Sequence, residues 1–211
     1  MHFTLTDLAA DITQNSAESG ARQLVLEIRE TAAAGSPEEP AKNEFRFIIG
    51  DNGKGMNTAE LERAVDPFVT DGVKHPGRKV GLGIPFLVQT ALQSGGGWNI
   101  TSAKAEGHVT IPELADGKTG SKQGTTVEAW FDLSNVDTPP VGDIPGLFRT
   151  ALLFAGLEEV ILKRSRKNSA LGNLDYEVRK TELIEALGDL EDAASLVLLG
   201  KYLRSLEGND E

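Results

Sequence analysis

The sequence predicts an α+β fold, a mixed sheet with helices packed against it. Three observations carry this expectation: a helical rhythm of apolar residues near the start, four separated runs with strand character, and a length of 211 residues, enough for one full core with an extension but crowded for two large domains. Leu5 to Ser19 places Leu8, Ile12 and Asn15 or Ser16 at helical steps, with Gly20 following as a C-cap. Gln23 to Arg29 alternates as a half-buried strand. The Ala-, Gly-, Ser- and Pro-rich residues from Thr31 to Asn43 read as an exposed connection, and Phe45 to Ile49 returns as a second strand. Asn57-Thr58-Ala59-Glu60 has capping-box order at the head of a short helix. From Asp66 to Val80 turn formers and charges replace periodicity, which suggests a loop, and Gly83 to Ser94 restores helical spacing through Ile84, Leu87, Val88 and Ala91.

Trp98 to Ala103 and Thr125 to Phe131 read as the strands that finish the sheet, with a short strand at His108 to Ile111 between them. Thr138-Pro139-Pro140 marks a boundary, so a first domain over residues 1–137 and an extension over 138–211 are expected. The extension reads as a helix from Ile144 to Ala155, a hairpin from Glu159 to Lys163 and Asp175 to Arg179, and terminal helices in which Leu196, Leu199 and Leu203 form a face that docks on the core. Lys163, Arg164, Arg166 and Lys167 are expected at a solvated hairpin tip.

Composition narrows the function classes. Hydrophobic residues make up 39% and charged residues 25%, the balance of an ordinary folded soluble protein. No apolar run reaches the ~20 residues of a spanning helix, and the start lacks the basic stretch of a secretory signal, so the expectation is a cytoplasmic protein with no membrane partner. Without cysteine there is no disulfide, thiolate metal site or cysteine nucleophile, and His2, His75 and His108 have no ligand spacing. Any metal must be held through oxygen. A net charge of −11 argues against a nucleic-acid partner.

Three short motifs carry chemistry. Asp51 closes the apolar run Phe45 to Ile49 and opens Asp51-Asn52-Gly53-Lys54-Gly55-Met56, where a carboxylate held by a sheet sits beside two glycines that permit close ligand approach. Taken alone, the same string is an ordinary turn. Asp11 and Asn15 stand one turn apart on one helical face, a spacing that suits either a surface polar pair or Mg²⁺, with the asparagine oxygen ligating the ion and the acid orienting a water. Gly81-Leu82-Gly83 lies at the mouth of a helix, where unpaired N–H groups favour an anion, although such glycines also serve plain loops. Lys74, Arg78 and Lys79 precede it as a basic patch or a solvated loop. Thr125, after Gly124, opens a strand from which its hydroxyl can support Asp51 or a bound water.

In order, these pieces run acid-x-x-x-Asn, Asp-x-Gly-x-Gly, Asp66-Pro67-Phe68, Gly-x-Gly and Gly-Thr. Over Leu5 to Leu133 the chain resembles the GHKL superfamily of gyrase, Hsp-type chaperones, histidine kinases and MutL. Through Asp11 to Ser16, Lys79 to Gly83 and the Pro-Pro and Gly-Asp at 139 to 143, it is also similar to small stand-alone bacterial ATP-binding proteins of the histidine-kinase type. The resemblance implies the Bergerat-type fold, a two-layer sandwich of a mostly antiparallel sheet with helices on one face, and ATP and Mg²⁺ as ligands. Asn15 would hold Mg²⁺, Asp51 would accept a hydrogen bond from the adenine amine, Gly53 and Gly55 would give the base room, and Met56 would line the pocket. Phe68 would stand at a lid hinge, Lys79 among lid cations, Gly81, Leu82 and Gly83 against the phosphates, and Thr125 behind Asp51. Asp11 takes the place of the glutamate that many members use as general base. The implied function is a protein kinase acting in trans on a separate protein, or a nucleotide-responsive binding module with slow hydrolysis; a homodimer is left open.

Overall fold

The computed structural model describes residues 4–32, 43–66, 83–104 and 123–208. The short strand expected at His108 to Ile111, most of the connection from Thr31 to Asn43, and the loop bearing Phe68, Lys74, Arg78, Lys79, Gly81 and Leu82 lie outside the described residues.

The first helix, α1 (Leu5–Glu18), is started by a capping box in which the Thr4 hydroxyl accepts from the Asp7 N–H over 3.1 Å and the Asp7 carboxylate accepts from the Thr4 N–H over 3.0 Å. Its first two amides are satisfied from far along the chain, Leu5 N–H donating to the Pro140 carbonyl and Thr6 N–H to that of Val141, each over 2.9 Å. The helix ends at Ser19 and Gly20, whose φ of +80° is the left-handed turn that glycine adopts at no steric cost. Next come β1 (Gln23–Ala32), β2 (Asn43–Asp51), α2 (Thr58–Val65), α3 (Gly83–Gln93), β3 (Gly97–Ala103) and β4 (Gly124–Asp132). Asn57 and Glu60 form the capping box that their spacing predicts at the head of α2.

Beyond the Pro-Pro boundary lie α4 (Ile144–Leu153), the hairpin β5 (Glu159–Lys167) and β6 (Leu174–Arg179), then α5 (Lys180–Leu187) and α6 (Ala193–Leu206). The hairpin changes the sheet from the one expected. Strands β3 and β4 do not finish it: the order is β3-β4-β2-β1-β5-β6, with β5 parallel to β1 and the other pairings antiparallel. The parallel pair makes the sheet mixed and ties the extension to the first strand.

Residue parity decides what each strand buries. Leu24, Leu26 and Ile28 of β1, Phe45, Phe47 and Ile49 of β2, Val127, Ala129 and Phe131 of β4, and Val160 and Leu162 of β5 all turn to one face. There they join Leu5, Leu8 and Ile12 of α1, Leu87 of α3, Phe148 of α4, and Leu199 and Leu203 of α6 in one core cluster. Each large apolar side chain so buried contributes roughly 1.5–3 kcal/mol of transfer free energy. The expected docking face of the last helix is present through Leu199 and Leu203, while Leu196 is half-buried. On the opposite face the strands carry charges in ion pairs, Arg29 with Glu27, Arg46 with Glu44 and Glu128, and Arg179 with Glu177.

One expectation is overturned. Arg164 and Arg166 do not sit at a solvated tip; they are 1% and 8% exposed. The strand runs on to Lys167, so Arg164 and Arg166 continue the inward parity of Val160 and Leu162, while Lys163 and Lys167 point to the other face. Their charge is met by Glu207, the C-cap of α6, which accepts from Arg164 Nε over 2.9 Å and from the Tyr176 hydroxyl over 2.7 Å. Glu30 takes Arg164 Nη2 over 2.6 Å, and the Gly172 carbonyl takes Arg166 Nε over 3.0 Å. Burial and the bond to Glu207 drive the Tyr176 hydroxyl far above its ordinary ionisation range.

Candidate functional site

Between α1, the loop after β2 and the start of α3 lies a cavity of about 270 Å³. Ile12, Asn15, Ser16, Asp51, Gly55, Met56, Gly83, Ile84, Thr125 and Val127 are among its lining residues, so the structure brings together six of the residues singled out from sequence: Asn15, Asp51, Gly55, Met56, Gly83 and Thr125. Lys54, between the two glycines, also lines it.

Asp51 is 5% exposed at the end of β2. Its Oδ2 accepts the Ser16 hydroxyl over 2.7 Å, and its Oδ1 accepts the backbone N–H groups of Gly53 over 2.8 Å and Thr125 over 3.3 Å. Burial pushes the carboxyl above the ordinary carboxylate range, against the pull of these three donors. The support from Thr125 thus comes through its amide. Its hydroxyl is engaged instead with Ser102 Oγ at 2.8 Å, because β3 pairs with β4 and sets Ser102 directly opposite Thr125.

The two glycines of the loop do different things. A Cβ on Gly53 would lie 1.7 Å from Ser19 Oγ, so Gly53 lets the loop close against the end of α1 rather than opening space for a base. Gly55 has φ +62°, and a Cβ there would lie 1.9 Å from the Ala103 carbonyl; both restrictions require glycine at this point of the cavity wall. Gly83 opens α3 against α1: a Cβ on it would lie 3.5 Å from Asn15 Nδ2 and 3.9 Å from Asp11 Oδ2. Asp11 and Asn15 therefore face the same helix start, as their spacing predicts. Phe68, Lys79, Gly81 and Leu82 lie outside the described residues.

Sequence reasoning gave Ser16 no role beyond its helical step and did not single out Ser102. Each had a signal. Ser16 follows Ile12 at helical spacing on the buried face, and Ser102 shares the inward parity of Trp98 and Ile100; a hydroxyl in such a row needs a partner.

The donor set fits a nucleotide with a magnesium ion. A carboxylate has about four lone-pair positions, and three of those on Asp51 are used, which leaves one for a further donor such as an exocyclic amine. Ile12, Ile84 and Val127 supply apolar walls. Among the described residues no group of three or more His, Cys, Asp or Glu gathers as a metal site, and one amide oxygen with a neighbouring carboxylate suits an ion that keeps waters and phosphate oxygens as its other ligands. No helix among the described residues is long and apolar enough to cross a membrane.

A helical layer over a mixed sheet, with a buried acid at the foot of the cavity between them, defines a GHKL-type ATP-binding domain. The sequence model of the family described as Histidine kinase-, DNA gyrase B-, and HSP90-like ATPase matches residues 4–135, and the chain belongs to that family. Among solved structures, the N-terminal domain of a DNA repair protein aligns with a TM-score of 0.48 and 13% identity, over 92% of this chain and 58% of that one. The Aquifex aeolicus MutL ATPase domain complexed with ADP aligns with a TM-score of 0.40 and 12% identity, over 78% of this chain and 61% of that one. The chain spans about three fifths of the length of each. No curated protein matches it.

Proposed function

We propose that this protein binds ATP with Mg²⁺ in the cavity beside α1 and transfers the γ-phosphoryl group to a separate regulatory protein. The observation that carries the reading is the division of labour along one helix: Ser16 holds Asp51, while Asn15 and Asp11 face the start of α3 at Gly83. Asp51 accepts the adenine amine, and Ile12, Ile84, Met56 and Val127 enclose the ring. Asn15 offers its amide oxygen to the metal, and the α3 N-terminus favours the phosphates. Magnesium supplies positive charge to the triphosphate as the phosphoryl group departs.

The length of one side chain weighs against hydrolysis, and it does so for the binding module below as much as for transfer. A general base must lie within about 3 Å of its water, or reach it through another, and Asp11 is one methylene shorter than the glutamate common in the family. Phosphoryl transfer needs positioning and charge stabilisation more than a base from this chain. Mixing the protein with labelled ATP·Mg²⁺ and candidate partners should label a partner; label on none of a full set, with ATP bound, overturns the transfer.

A second reading, a nucleotide-responsive binding module, has its own observation. The segment before α4 is hydrogen-bonded to the first turn of α1, and α4 packs on α1, so a shift of the nucleotide-holding helix bears directly on the extension. It requires a partner whose affinity differs between the ATP and ADP forms. Equal affinity removes it, because a ligand shifts an equilibrium only through differential binding.

A further inference from the structure

We infer that Ser102, on the edge strand β3, is the positioning residue that sets the cavity's preference for adenine over 6-oxopurines. This rests on the ATP-binding reading above and goes beyond it by naming what holds the base-reading groups together.

Three groups from two other segments converge on one hydroxyl. Ser102 Oγ accepts the Met56 N–H over 2.7 Å, lies 2.8 Å from Thr125 Oγ1 and lies 3.1 Å from the Gly124 carbonyl. Its single proton serves either Gly124 or Thr125, and in both arrangements it joins the loop carrying Met56 to the start of β4. Thr125 N–H in turn reaches Asp51 Oδ1. A hydrogen-bonded chain therefore runs from Met56 through Ser102 and Thr125 to Asp51, and three of these four residues line the cavity. The backbones are already close: a Cβ on Gly55 would strike the Ala103 carbonyl, and one on Gly124 the Asp51 carbonyl at 1.9 Å. Ser102 fixes the remaining freedom, the position of the Met56 loop relative to the acid.

The consequence falls on the base. Adenine presents an amine donor to Asp51, whereas hypoxanthine presents an oxygen that a carboxylate repels, so discrimination depends on how closely the base is held against Asp51. Removing the Ser102 hydroxyl orphans the Met56 N–H and frees Thr125, and the base-dependent part of affinity falls while the phosphate-dependent part does not. General loss of fold would instead lower affinity for both nucleotides alike.

Calorimetric titrations of ATP and inosine triphosphate into the wild type, Ser102→Ala and Ser102→Thr test this. The ATP-over-ITP preference should drop roughly three- to tenfold in Ser102→Ala, the worth of a neutral hydrogen bond, and be largely retained in Ser102→Thr, which keeps the hydroxyl. The ratio is taken on one preparation, so the folded fraction cancels. An unchanged preference in Ser102→Ala, or an equal drop in Ser102→Thr, overturns the inference while leaving the nucleotide site standing; a wild type that binds neither nucleotide sinks the underlying reading instead. Should Ser102→Ala not fold, Ser102→Cys, similar in size with weaker hydrogen bonds, takes its place under the same criteria.

Discussion

Ser16 on α1 donates its hydroxyl to Asp51 at the end of β2 across 2.7 Å, and this bond spans the two layers of the fold. The helix that presents Asn15 to the cavity thereby also orients the acid on its floor. Burial leaves the carboxylate costly to ionise, and the three donors around it offset only part of that cost.

Replacing Asp51 by Asn should therefore be tolerated by the empty protein. The Asn oxygen can keep the Gly53 and Thr125 amides, and the Ser16 hydroxyl can rotate to accept from the new NH₂. An acid whose folded pKa is raised contributes stability that is present below its unfolded pKa and lost as pH rises through the folded value. The melting temperature of Asp51→Asn relative to wild type should thus climb as pH rises from the ordinary carboxylate range through the raised pKa, then level off. Thermal unfolding in a pH series checks this; a difference independent of pH contradicts it.

Asn15→Ala removes an exposed side chain facing Gly83 and costs the fold little. Mg²⁺-dependent ATP binding should be lost while Mg²⁺-independent ADP binding is less affected. Titrations with and without EDTA separate the two, and equal losses would point to a damaged helix.

Glu207→Ala leaves Arg164, which is 1% exposed, with Glu30 as its remaining acid partner among the described residues and takes the acceptor from the Tyr176 hydroxyl. Removing one partner of a buried ion pair costs about 3–5 kcal/mol when the charge is left unpaired, and the bond that Glu30 keeps to Arg164 holds the loss to about the lower end of that range. Urea unfolding should show a loss of that size; a loss under about 1 kcal/mol, the worth of a surface pair, would mean that the cluster is solvated.

Gly53→Ala forces a methyl to within 1.7 Å of Ser19 Oγ. Overpacking of this kind costs about 1–3 kcal/mol. Because Ser19 Cβ is also within 2.8 Å, Ser19→Gly should recover more stability in the Gly53→Ala background than Ser19→Ala does. Equal recovery would mean that the clash is with the hydroxyl alone.

Much of the fold was legible because its elements carry clean periods and caps: α1 from Leu8 and Ile12, α2 from Asn57 and Glu60, the inner strands from alternation. Asp51 stood out only in company: its own string is an ordinary turn, and the order of the motifs around it, from Asp11 and Asn15 to Gly124 and Thr125, is what singled it out. Arg164 and Arg166 misled because charge suggests surface, and their partner Glu207 is 43 residues away from Arg164 in sequence, beyond any local pattern. Their parity with Val160 and Leu162 was the available clue. The role of the Thr125 hydroxyl depended on which strand lies beside β4, and the place of β5 next to β1 depended on a long-range parallel pairing that no local signal encodes.

The central claim, that Asp51 reads adenine on the floor of this cavity, is tested most directly by calorimetric titration of ATP·Mg²⁺ into the wild type and Asp51→Asn. The account predicts saturable binding by the wild type and a loss of about 1.5–3 kcal/mol in the variant, the range for a hydrogen bond to a charged group. Unchanged affinity in a folded Asp51→Asn protein would contradict it.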